Sequence, residues 1–145
     1  MWPHTLASEA DGVDEITVLV IDEHNDVRAL LARGLDGSSP LRVVASTGSA
    51  LEGMELAARW RPQIILVDLK MPARYRAEVY RRIHRASPGS RLIVYTSYLS
   101  QEEERVSLES GVCKCLLKGM SIRDLAAELR SLVESSTGQA PNACA

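Results

Sequence analysis

Five short apolar runs recur along the chain, each followed by an amphipathic stretch: ITVLVI from Ile16, LRVVA from Leu41, QIILV from Gln63, RLIVY from Arg91 and CKCLL from Cys113. Several are apolar almost throughout instead of alternating with polar residues. That is the pattern of strands covered on both faces, which favours parallel pairing. Regular alternation of such strands with helices implies a parallel sheet, right-handed crossovers and helices on both faces. The expected fold class is therefore α/β, a doubly wound five-stranded parallel sheet in a single domain.

The intervening stretches carry helix signals. Val27, Leu30, Leu31 and Leu35 fall on one helical face, as do Ile122, Leu125, Ala126, Leu129, Leu132 and Val133. Ser49 with Glu52 and Ser100 with Glu103 fit a capping box, and Ser121 with Asp124 approximates one. Gly111 stands where the fourth helix should stop in a left-handed conformation. The folded part is expected to be residues 16–134. Residues 1–15 are expected to be a disordered extension, and residues 135–145 a tail or the start of an interdomain linker.

With 46% hydrophobic and 25% charged residues, the chain suits one globular domain. Its net charge of -2 argues against a dedicated nucleic-acid binder, which needs many cations to neutralise phosphates. No run approaches the roughly 18 apolar residues of a membrane span, and no export signal is visible, so a soluble cytoplasmic protein is expected. Cys113, Cys115 and Cys144 lack framework spacing and read as reduced thiols. Between Arg59 and Arg91 nine Lys/Arg face only Asp68 and Glu78. Such a stretch is most simply a solvated helix face, with a partner surface as the sharper reading.

In a doubly wound sheet, ligands bind outside the carboxyl ends of the strands. The first strand runs into Asp22 and Glu23, the third into Asp68, the fourth into Thr96 and Ser97, and the fifth into Lys118. Only the second ends blandly, at Ala45 and Ser46. One rim thus gathers three carboxylates, a hydroxyl and an ammonium. Crowded carboxylates repel, and a hard divalent cation relieves the repulsion. Mg²⁺ takes oxygen ligands, keeps several waters and accepts phosphate oxygens, which matches this set better than zinc does.

The motifs VIDEHNDVR, ILVDLKMP, VYTS and CLLK, in that order, resemble the receiver domain of bacterial two-component response regulators from about Ile16 to Glu134. KGMSIRDL after the last strand is most similar to receivers of the subfamily with a helix-turn-helix output. The resemblance implies a flavodoxin-like fold with strand order 2-1-3-4-5. It implies that Asp68 accepts the phosphoryl group, that Thr96 and Lys118 contact its oxygens, and that Mg²⁺ is held by Asp22, Glu23, Asp68 and the Lys70 backbone carbonyl. The implied partner is a sensor histidine kinase or phosphotransfer protein. Output, and any homodimer, would use the face made by the fourth helix, fifth strand and fifth helix, with no nucleic acid or membrane bound by this domain itself. Such a domain is a signalling switch that catalyses only its own phosphorylation and dephosphorylation.

Three positions depart from that family's pattern. Glu23 replaces the usual Asp, Cys115 stands where an aromatic commonly swings inward with the threonine, and Arg76 replaces a frequent Gly. Cys115, Glu23 and the central basic stretch keep open a second reading, a phosphorylation-independent interaction module on the same fold that docks through the face of the fourth helix, fifth strand and fifth helix or through the Arg-rich third helix. Lys70 and Tyr98, two residues beyond Asp68 and Thr96, are expected to shield the phosphoryl group from water. His4, His24 and His84 lack a nucleophile arrangement and read as surface or boundary residues. Enzyme readings fail at the first turn, where DEHNDV offers neither the G-x-G-x-x-G of a dinucleotide site nor a flavin phosphate loop. Asp68 and Asp22 also lack the second Asp two residues on that a haloacid-dehalogenase-type phosphatase needs.

Overall fold

A computed structural model of the chain describes residues 14–135. The expectations for residues 1–13 and 136–145, including those for His4 and Cys144, fall outside the described residues. Strands β1 (Ile16–Asp22), β2 (Leu41–Thr47), β3 (Ile64–Asp68), β4 (Arg91–Thr96) and β5 (Lys114–Leu117) alternate with helices α1 (Asn25–Asp36), α2 (Ala50–Trp60), α3 (Ala73–Ala86), α4 (Gln101–Glu109) and α5 (Ile122–Ser135). All strand pairs are parallel and the order is β2-β1-β3-β4-β5, as expected. β1 and β3 sit inside the sheet and are apolar on both faces because each face meets helices.

The two faces divide the core by residue parity. Val18, Val20, Ile64, Leu66 and Ile93 pack with Leu31 and Leu35 of α1 and Leu125 and Leu129 of α5. Leu19, Ile21, Ile65, Val67 and Val94 pack on the other side with Ala57 of α2 and Tyr80 and Ile83 of α3. Leu30, placed by sequence on the buried stripe of α1, is exposed. It lies at the stripe's edge, and Leu31 and Leu35 fill the contact instead.

Helix ends follow their capping chemistry. Ser100 and Glu103 form a full capping box. Ser49 accepts from the Glu52 amide at 3.1 Å, but the Glu52 carboxylate turns to the Thr47 hydroxyl, so this box is half formed. Thr47 is thus a buried, bonded end to β2, where the sequence promised little. Ser121 accepts from the Asp124 amide at 3.0 Å, and Gly111 takes a φ of 103° just past α4. Cys113 is disulfide-bonded, correcting the expectation of reduced thiols, while Cys115 is free. Spacing in a sequence does not reveal which sulfurs the fold brings together.

Candidate functional site

The rim at the carboxyl ends of β1, β3, β4 and β5 is assembled by strand register. Asp22 and Asp68 are partners on the last rung of the β1–β3 ladder, so their carboxylates leave the sheet side by side. Both are buried, at 2% and 8% exposure. Neighbouring buried carboxylates need a counter-charge, and Lys118 supplies it. Its Nζ donates to Asp68 Oδ2 at 2.7 Å and to Asp22 Oδ2 at 2.9 Å. Burial opposes the Lys118 charge, but the hydrogen bonds and attraction to Asp68 and Asp22 outweigh it and leave its pKa raised.

Lys118 reaches this position because β5 ends at Leu117 and the Lys118 amide donates to the Thr96 carbonyl at 2.7 Å. Gly119, at a φ of 127°, then turns the chain toward α5, a conformation that favours glycine. Thr96 ends β4 and lines the opening above Asp68, which has a volume of about 300 Å³ and also includes Lys70, Arg76, Tyr80 and Tyr98. Tyr98 lines the same opening and is 76% exposed. It sits on the loop beyond β4. Lys70 is exposed at the same mouth.

Glu23 lies apart from the buried pair. It is exposed, and its Oε2 accepts from the Lys70 amide at 3.1 Å, tying the turn after β1 to the turn after β3. His24 is the residue that sequence reasoning set aside. Asp22 Oδ1 accepts from the His24 backbone amide at 2.9 Å, a local turn that folds the imidazole back until Nδ1 is 2.7 Å from the same oxygen. Asp22, His24 and Asp68 present possible metal-ligand atoms within 4.8 Å of one another. The only sequence signal for this was the position of His24 two residues after a strand-end Asp, a spacing that allows such a turn. Two buried carboxylates side by side, with the Glu23 carboxylate on the adjoining turn, are hard oxygen donors of the kind Mg²⁺ prefers, so the residues fit that ion.

On the opposite side of the opening Tyr80 is buried, and burial pushes its phenol up to about 12. Cys115 packs against the same apolar cluster, and its thiol is pushed by burial up to about 11. Arg76 donates to the Met71 carbonyl at 2.5 Å and to Glu103 Oε2 at 2.9 Å.

Residues 18–130 match the family model described as the response regulator receiver domain. The chain belongs to the response regulator receiver family. Among its relatives, this receiver is 31% identical over 116 residues to the transcriptional regulatory protein LiaR of Bacillus subtilis (strain 168), covering 80% of this chain and 55% of that protein. It is 28% identical over 123 residues to the nitrate/nitrite response regulator protein NarL of Escherichia coli (strain K12), covering 85% and 56%. The receiver thus spans about half the length of the curated relatives it matches. Its fold superimposes on the response regulator domain of Thermotoga maritima CheB with a TM-score of 0.71 at 25% identity, covering 88% of this chain and 99% of that one. A CheY-like receiver domain protein from Methanospirillum hungatei JF-1 gives 0.75 at 22% identity, covering 86% and 98%. No helix among the described residues is long and apolar enough to cross a membrane.

Proposed function

We propose that this receiver is a phosphoacceptor switch of a two-component relay, taking a phosphoryl group from a sensor histidine kinase or phosphotransfer protein onto Asp68. The observation that carries this reading is the buried Asp22–Asp68 pair bridged by Lys118 below an open cavity. A carboxylate nucleophile needs little proton help, so the site's task is alignment and charge neutralisation. One Asp68 oxygen forms a bond to phosphorus as the P–N bond of a phosphohistidine donor breaks, and the departing imidazole keeps the electron pair and takes a proton. Lys118 stays as a fixed positive charge beside the new acyl phosphate, and Thr96 offers a hydroxyl at the same mouth. Mg²⁺ held by Asp22, Asp68, Glu23 and the Lys70 carbonyl would neutralise charge on the phosphoryl oxygens.

Output through α4, β5 and α5 is supported by Leu108 and Leu117, large apolar side chains exposed on α4 and β5. The same surface suits a homodimer contact, and a cytoplasmic location follows from the proposed donor. Incubating the chain with acetyl phosphate and Mg²⁺ tests the reading. Intact mass should show one added phosphoryl group, and Asp68→Asn should abolish it. Equal labelling of Asp68→Asn overturns the assignment.

A further inference from the structure

The cavity above Asp68 is lined by a second cation besides Lys70, Arg76, which stands where the family pattern frequently has Gly. Arg76 lies in the first turn of α3, and its side chain is only 22% exposed. One arm of its guanidinium holds the Met71 carbonyl and the other holds Glu103. Glu103 is itself the third-residue partner in the capping box of α4, since its Oε1 accepts from the Ser100 amide at 3.0 Å. A single carboxylate therefore ties the first turn of α4 to α3. The Ser100 amide first, with Arg76 adding to it, holds the Glu103 carboxyl below the usual carboxylate range, so both contacts favour the charged form.

Arg76 also shares the opening with Asp68, Thr96 and Tyr80, the last one turn further along α3. Lys118 and Arg76 differ in their commitments. Lys118 already serves both buried carboxylates, whereas Arg76 has one partly exposed carboxylate as its ionic partner. A phosphoryl group on Asp68 brings about -1.5 to -2 charge units and three acceptor oxygens. An Arg fork binds such a group in a bidentate manner, more strongly than it binds a half-solvated carboxylate.

We propose that Arg76 is a phosphoryl-responsive latch, holding the first turn of α4 through Glu103 and moving to the phosphoryl oxygens when Asp68 is modified. This rests on Asp68 being the phosphoacceptor. Phosphorylation then loosens α4 at its start by withdrawing one ion pair. The coupling runs through α3, and it needs no aromatic on β5, where the chain has Cys115. A ligand shifts a two-state element only by its differential interaction with the two states, and the exchange of Glu103 for phosphoryl oxygens supplies that difference.

Hydrogen exchange of the amides from Gln101 to Val106 tests the latch, measured with and without acetyl phosphate and Mg²⁺ in the parent and in Arg76→Gln. The glutamine keeps an amide donor for Glu103 but has no charge for a phosphoryl group to draw away. Exchange in the parent should rise severalfold on phosphorylation, whereas Arg76→Gln should exchange equally in both states. Intact mass records the phosphorylated fraction in each sample. Phosphorylated parent with unchanged exchange, or an equal rise in Arg76→Gln, overturns the latch and leaves the phosphoacceptor reading standing. A parent that takes no phosphoryl group overturns both.

Discussion

Asp22 and Asp68 face each other on the last rung of the β1–β3 ladder, and one ammonium, that of Lys118, lies within 3 Å of both carboxylates. Removing that ammonium leaves two buried carboxylates uncompensated. Lys118→Met should therefore destabilise the fold by roughly 3 kcal/mol in metal-free urea titration. Mg²⁺ should recover more stability in the variant than it adds to the parent, because a cation then replaces the missing charge. The raised Lys118 pKa carries a sign that can be checked. Its stabilisation is fully present below the ordinary value of 10.5 and is lost as pH rises through the higher folded value. The parent should lose stability across that alkaline window, and Lys118→Met should lack this component.

Cys115 should be a poor nucleophile while the chain is folded. Burial raises its thiol from 9.0 to about 11, so folding favours the neutral form, and this contribution is present below 9.0 and lost as pH rises through about 11. At pH 9, iodoacetamide should label Cys115 more slowly in the native chain than in urea, by on the order of tenfold or more. Peptide mapping of Cys115 gives the two rates.

Gly53 is required by close packing of α2 on β1. A Cβ there would lie 2.6 Å from Cδ1 and 2.9 Å from Cγ1 of Ile21, which is fully buried and has no room to turn. Gly53→Ala should cost about 1–3 kcal/mol despite the better helix propensity of alanine. Gly34→Ala meets Ile122 Cγ2 at the same distance, but Ile122 is partly exposed and can rotate away. Urea unfolding of both variants should rank Gly53→Ala as the less stable.

Glu23 should weaken Mg²⁺ binding relative to aspartate. Its longer side chain reaches the Lys70 amide at 3.1 Å, a contact that competes with coordination, and it has more rotamer freedom to lose. Glu23→Asp should bind Mg²⁺ more tightly in calorimetric titration. Binding by the parent that is equal or tighter refutes this account.

The sequence by itself determined the sheet and the rim. Near-continuous apolar strands such as ILV before Asp68 force burial on both faces, and strand ends in such a sheet point to one edge, so Asp22, Asp68, Thr96 and Lys118 were legible as neighbours. Capping at Ser100 and the left-handed turn at Gly111 were readable for the same reason, since both depend on residues close in the chain. What depended on side-chain direction or distant approach was decided only in three dimensions. His24 joins Asp22 because a local hydrogen bond bends the turn, and Glu23 faces Lys70 because two loops meet. Arg76 finds Glu103 across 27 positions of sequence because α3 and α4 lie side by side on the same face of the sheet. Periodicity fixes which face of an element is buried, but where a long polar side chain ends depends on what the fold places within its reach.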